Sequence, residues 1–194
     1  MKKPRYPKIV EAALTPRQRE VYDRIVSGPR GEVRGPLRVW LHSPELADRA
    51  QALGGFVRYD TLLPPLLSEL AILVTARLWS SGFEWAHHAP IAERAGLDSE
   101  IIAAIGQGLT PAFADAVQKA VFDVAVELHR DRKLTDATHD AALEALGRQG
   151  LVDLVGICGY YTLISMTINA FEVPVDEGPL LPQVDVPAEQ MFKE

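Results

Sequence analysis

Glu69, Glu84 and His88 are the residues of this chain best suited, by type and spacing, to move protons. Most of its titratable side chains stand in polar runs that read as solvated helix faces. Glu69 instead interrupts the apolar stretch from Leu66 to Val74, with Arg77 following in the same helix, and Glu84 and His88 bracket Trp85 in the next. Four residues apart on a helix, Glu84 and His88 share one face, so the carboxylate can hydrogen-bond the imidazole. A carboxylate in apolar surroundings has a raised pKa, and an imidazole beside it titrates near neutrality, the condition for moving a proton to or from carbon at pH 7. A place in the first helical turn would instead favour the charged form of Glu84, so the sign of its shift stays open. The spacing alone is a weak signal, because a Glu and a His at this separation often arise by chance; a buried Glu69 strengthens it.

Other patterns compete for the same residues. Glu84-x-x-His87 is half of a di-iron carboxylate motif, with Asp136-x-x-His139 as its conceivable partner and Glu69 and Glu127 as the only further core carboxylates. The helix carrying His139 reads as amphipathic and surface-lying, so the expected metal complement is none, and no cofactor is expected. Cys158, the only cysteine, excludes an internal disulfide, a cysteine zinc site and a dithiol pair. Flanked by glycines and tyrosines, it reads as a buried inert thiol rather than a nucleophile, which would need a neighbouring cation. His42, His129 and His139 lie in polar contexts and are expected to be exposed, whereas Tyr160, Tyr161 and Asn169 are candidates either for a pocket wall or for core packing.

The chain has 194 residues, 47% hydrophobic and 24% charged, enough for one domain with a real core. A net charge of -6 and a pI near 5.4, with scattered basic residues, exclude a phosphate-binding surface, so no nucleic acid partner is expected. Only Met1-Lys2-Lys3-Pro4-Arg5 and Arg130-Asp131-Arg132-Lys133 are locally basic, as a tail and a helix end. No signal-peptide-length apolar run follows the N-terminal lysines, and a cytoplasmic setting is expected. The long apolar stretch from Leu151 to Phe171 contains Asp153 and lacks flanking cationic clusters, so it reads as a core or subunit-interface helix and not a membrane span.

These residues must be held by helices. Cap-plus-proline signatures at Thr15-Pro16 and Ser43-Pro44 open two of them, the first running to Ser27. Further helices are expected at Pro64 to Ser80, Phe83 to Ala95, Asp98 to Ile105, Pro111 to Arg130, Thr135 to Leu146 and Leu151 to Glu172, each bounded by Gly, Pro or a capping residue. No segment alternates as a strand does, so the fold class is all-α. Residues 1–42 form an N-terminal extension with one short helix, 43–172 the helical domain, and 173–194 a Pro-rich tail running extended over the surface or a neighbouring subunit.

Leu66 to Leu73, then Glu84-Trp85-Ala86-His87-His88, then Ala92 to Leu97, resemble the core of the carboxymuconolactone decarboxylase family, whose superfamily includes alkyl hydroperoxidase D. The likeness runs from about Ser43 to Phe171 and implies an alkyl hydroperoxidase D-like helical bundle. Peroxidases of that superfamily relay protons from a glutamate and a histidine to two cysteines. The matching positions here are Glu69 and His88 for the relay, but Ser81 and Glu84 where the cysteines would be, so the resemblance implies loss of dithiol chemistry. For the decarboxylase branch it implies a lyase of aromatic catabolism that removes carbon dioxide from a carboxylated lactone. His88 would then donate the proton, Glu84 would be its partner, and Glu69 a second relay group. Arg58 or Arg77 would bind the substrate carboxylate, Arg77 equally well pairing a structural acid, and Trp85 and Tyr160 would contact substrate. Domains of this family tend to form trimers or larger rings, so a homo-oligomer, a trimer or hexamer, acting on a small-molecule substrate is expected. Two other readings stay open: a redox protein acting through Cys158, and a non-catalytic ligand-binding or assembly module in which the three residues are only a buried polar network.

Overall fold

The computed structural model describes residues 4–7 and 9–193; the lysines of the basic N-terminal stretch, Lys2 and Lys3, lie outside the described residues. Eight α-helices follow one another, α1 (Pro16–Ser27), α2 (Pro36–Trp40), α3 (Pro44–Tyr59), α4 (Pro65–Leu78), α5 (Gly82–Arg94), α6 (Ser99–Gly106), α7 (Ala116–Arg130) and α8 (Asp136–Phe171), with no strand among the described residues. The fold is the all-α bundle expected.

Helix α4 lies at the centre because it is apolar on every side, and a helix without a polar face has to be surrounded. Every residue from Leu67 to Arg77 is buried, packed against α5, α7 and α8. Among the described residues, the apolar part of α8 is the one stretch long and hydrophobic enough to cross a membrane, yet 61% of that window is buried inside the protein, as in a core helix. Its Asp153 accepts a hydrogen bond from the Leu62 backbone amide at 3.0 Å, which satisfies the buried carboxylate.

The helix ends show which local signals decide. Thr15 and Gln18 form a reciprocal capping box that starts α1. The expected start of α7 at Thr110-Pro111 is displaced to Asp115, whose carboxylate accepts from the amides of Val117 and Gln118. A capping carboxylate with two amides outweighs a proline that only tolerates the first turn. The two helices expected from Thr135 to Glu172 are both present, as the two parts of α8 on either side of a kink at Gly147, whose φ of 68° breaks the helical path; the first part is largely exposed and the second enters the core.

Two departures concern the termini. The extension is more than one short helix and a linker: α2, too short to show periodicity, places Trp40 in the core, where its indole N–H donates to Thr167 on α8 at 2.9 Å. The tail folds back over its own domain. Pro90 inside α5 has no N–H for the carbonyl of Ala86, and Gly178 of the tail lies against that carbonyl, where a Cβ would collide with it; its φ of 100° also suits glycine. Met191 and Phe192 are buried at the far end, and the Phe192 amide donates to Gly108 O at 2.9 Å.

Arg77 fixes the middle of the tail. Its guanidinium is buried and donates to the carbonyls of Gly106 (3.0 Å) and Pro182 (2.8 Å) and to Ser80 Oγ (3.2 Å), with no carboxylate partner among the described residues. Arg77→Ala is expected to lower the unfolding free energy by about 2 kcal/mol and to speed proteolysis between residues 176 and 187. Wild-type melting together with a wild-type cleavage rate would show that the tail is held by other means.

Candidate functional site

Two helices bring Glu69, Glu84 and His88 together. Glu69 projects from the buried centre of α4, Glu84 occupies the first turn of α5, and His88 stands one turn further along α5. Glu69 Oε2 lies 2.6 Å from His88 Nδ1, and Glu84 Oε1 lies 3.0 Å from His88 Nε2. All three are at most 4% exposed. Tyr161 of α8 closes the imidazole edge-on, ring centroids 5.1 Å apart at 87°.

The electrostatics of the two adjacent histidines diverge. For His88, desolvation opposes the imidazolium, but the charge and hydrogen bonds of Glu69 and then of Glu84 prevail and raise its pKa to about 9. Protonated His88 donates from both ring nitrogens, one to each carboxylate. His87 is pushed down to about 3 by burial, then by the positive charge of His88 and by Arg58, Arg34 and Arg30. A neutral His87 accepts on Nε2 from Arg58 Nη2 at 3.2 Å. One ring therefore holds a proton at neutral pH and its neighbour does not.

These groups meet at a cavity of about 270 Å³ whose wall includes Glu84, His87 and His88 from α5, Arg58 from α3, Tyr160, Tyr161 and Ile164 from α8, and Arg30 and Arg34 from the segment between α1 and α2. Glu69 is not part of that wall and stands behind the imidazole. The volume is just below the ~300–1,000 Å³ usual for ligand pockets, which suits a small metabolite.

Of the residues expected in the site, Glu69, Glu84, His88, Arg58 and Tyr160 converge, and Arg77 and Trp85 do not. Arg77 lies eight residues beyond Glu69 on α4, about 12 Å along the axis and on another face, where it holds the tail. Trp85, one residue from Glu84, is turned about 100° away and packs against Gly106 of α6. His129 is buried, contrary to expectation: its Nε2 lies 2.8 Å from Thr75 Oγ1, and burial followed by the charge of Arg132 lowers its pKa to about 4. His42 and His139 are exposed.

The di-iron frame does not assemble. His139 pairs with Asp140 on the exposed part of α8, Glu127 is engaged by Thr135 and Thr138, and Nε2 of His87 accepts from Arg58. Cys158 is buried, its thiol pushed up to about 12 by desolvation, and it lines a separate recess with Trp79 and His129. Arg30 and Arg34 escaped sequence reasoning because Gly28-Pro29-Arg30-Gly31 signals only the end of a helix.

A pKa raised above the unfolded value of about 6.5 means that the stability His88 contributes is complete below pH 6.5 and is lost as pH rises through about 9. Nitrogen-15 NMR of labelled histidine should find His88 protonated at pH 7.5 and His87 neutral, and Glu69→Gln should move the His88 midpoint down by at least about one unit. An unaltered midpoint in Glu69→Gln would remove Glu69 from the pairing.

The sequence model of the carboxymuconolactone decarboxylase family matches residues 44–127, which hold Arg58, Glu69, Glu84 and His88. No curated protein matches. Among solved structures, the fold superposes on an uncharacterized peroxidase-related protein from Silicibacter sp. TM1040 with a TM-score of 0.70 and 15% identity, covering 90% of this chain and 94% of that one. At that identity the likeness concerns the fold, an alkyl hydroperoxidase-like helical bundle. Residues 44–127 are thus similar to the carboxymuconolactone decarboxylase family, a match that covers less than half of the chain.

Proposed function

We propose that the chain is a cofactor-free enzyme that moves a proton to or from carbon, by decarboxylation or a related reaction, on a small carboxylated or lactone-like metabolite. The observation that carries this reading is a buried imidazolium held between two carboxylates at the wall of a small cavity. In the decarboxylation, the bond between the substrate carbon and its carboxylate breaks and carbon dioxide leaves. The electron pair stays on carbon and delocalises into the lactone carbonyl, and the carbon then takes a proton. Glu84 faces the cavity while Nε2–H of His88 faces Glu84, so the proton of the His88 imidazolium passes through the Glu84 carboxylate to the carbon. Glu69, behind the ring, keeps Nδ1–H oriented and the imidazolium charged. This order makes Glu84, not His88, the group that touches substrate.

Thiol peroxidase chemistry has less support. It needs an accessible thiolate and a resolving thiol, whereas Cys158 is buried with a raised pKa and Ser81 and Glu84 stand where the resemblance puts the cysteines of the superfamily's peroxidases.

Against a panel of carboxylated unsaturated lactones, Glu84→Gln and His88→Ala should each lower turnover by about a hundredfold or more without loss of helix content, and Glu69→Gln by less. Blocking Cys158 should leave turnover unchanged. Full activity in Glu84→Gln, or dithiol-dependent hydroperoxide consumption by the wild type at enzymatic rates, would contradict the proposal.

We also propose that a second copy covers the apolar face formed by Leu53 and Phe56 of α3 and Val152 and Val155 of α8, all at least 44% exposed on two helices in contact. Phe56→Glu with Val155→Glu should shift sedimentation from oligomer to monomer; a wild type that is strictly monomeric at micromolar concentration would rule this out.

A further inference from the structure

Phe83, one residue ahead of Glu84 in the first turn of α5, is half-buried and stands where three hollows of the molecule meet. One is the cavity of Glu84 and His88. Another is a polar recess of about 470 Å³ walled by Arg38, Ala86, Asp176, Glu177 and Gly178, and the third is an apolar crevice beside Phe171 and Pro174. The walls of cavity and recess have Glu32, Arg34, Phe83 and His87 in common. Glu32 pairs with Arg34 at 2.9 Å, and His87 accepts from Arg58. Phe83 is the apolar member of that shared wall.

The ring spans the gap between α5 and the extension. Its tip stands over Gly35, the residue before α2, where a Cβ would lie 2.4 Å from Phe83 Cζ and 2.5 Å from Cε1. Gly35 has a φ of 53° and a ψ of -129°, a backbone conformation that residues with side chains rarely adopt. Glycine therefore lets an α5 side chain reach as far as the extension. With its tip against backbone, the ring cannot swing toward Gly35 without a clash.

We propose that Phe83, seated on Gly35, sets the length of ligand that the site admits: its ring ends the cavity at a compact ring with a short substituent and shuts longer chains out of the polar recess behind it. The inference rests on the proposed function for the choice of a lactone acid as ligand, but it concerns binding, which is measurable without turnover. A chain on the lactone ring has to displace an aromatic ring braced on backbone, and overfilling of that kind is unfavourable. Removing the ring joins the cavity to a recess lined by charged side chains. The chain then admitted best is one that ends in a hydroxyl rather than a methyl group, because it keeps those groups solvated by a polar partner.

The test compares three probes by calorimetry and by ligand-detected NMR: 5-oxotetrahydrofuran-3-carboxylate and the same ring carrying a 2-butyl or a 2-(4-hydroxybutyl) chain. The wild type should bind the unsubstituted ring at least about tenfold tighter than either chain-bearing acid. Phe83→Ala should bring the hydroxybutyl acid to within about threefold of the unsubstituted ring, with the butyl acid behind it and Phe83→Leu falling between variant and wild type. In Phe83→Ala the end of the bound hydroxybutyl chain should show nuclear Overhauser contacts to the methyl group of Ala86, which lines the recess and not the cavity. The variant should keep the wild-type helix content and the His88 midpoint, which separates loss of the partition from misfolding of α5. Equal wild-type affinity for all three probes, binding of the unsubstituted ring no tighter than about 10 mM, or the wild-type ratio retained in Phe83→Ala would overturn the partition. If no lactone is turned over while the ratio collapses in Phe83→Ala, the chemistry falls and the partition stands; turnover of lactones with an unaltered ratio sinks the partition and leaves the chemistry.

Discussion

The placement of one positive charge between two negative ones, His88 between Glu69 and Glu84, constrains everything around it. An isolated ion in the centre of a helical bundle costs several kcal/mol, and even a pair repays that only when its geometry is good and its remaining hydrogen-bonding capacity is used. Here two ring nitrogens meet two carboxylates, at 2.6 Å and 3.0 Å. The cluster as a whole carries one net negative charge when His88 is protonated, and Arg58 and Arg30 on the same cavity offset it. Removing one carboxylate would therefore disturb more than a hydrogen bond, because the proton on His88 would lose the charge that keeps it there.

That constraint dictates the architecture. Glu69 can reach Nδ1 only from a helix running through the core, which is why an α4 apolar on all sides tolerates a carboxylate at its middle. Glu84 reaches Nε2 from the same helix as His88, one turn nearer its N-terminus. The neighbouring His87 shows the reverse outcome of the same field. Half-buried, next to an imidazolium and within reach of arginines, it stays neutral and serves as acceptor for Arg58.

How much of this was legible in the sequence depends on whether the signal is local. Glu84 and His88 sit on one helix at a spacing that predicts their contact, and Glu69 stands out as a charge inside an apolar run. The all-α class and most helix ends follow from periodicity and caps. Arg77 was misleading because it shares a helix with Glu69, and only its turn about the axis, eight residues on, directs it to Gly106 and Pro182 instead of the cavity. His129 looked exposed because its sequence neighbours are charged, yet its own side points at Thr75. Arg30 carried no signal at all, since its place on the cavity wall depends on a loop meeting α3 and α8, residues distant in sequence.

Glu69, Glu84 and His88 lie within the stretch that matches the family, while Arg30 precedes it and the tail that packs on α5 follows it. The two additions meet beside the same helix, where Glu32 and Arg34 of the extension and Asp176 and Gly178 of the tail line one recess with Ala86 and His87. The tail, through Gly178, covers the Ala86 carbonyl that Pro90 leaves unpaired. The extension, anchored by Trp40 to α8, forms part of the wall of the cavity at Glu84 and His88. A core that fixes the Glu69–His88–Glu84 cluster and flanking segments that shape the opening can vary independently, because the cluster depends on contacts between α4 and α5, whereas the opening depends on how α2 and its preceding loop seat against α3 and α8.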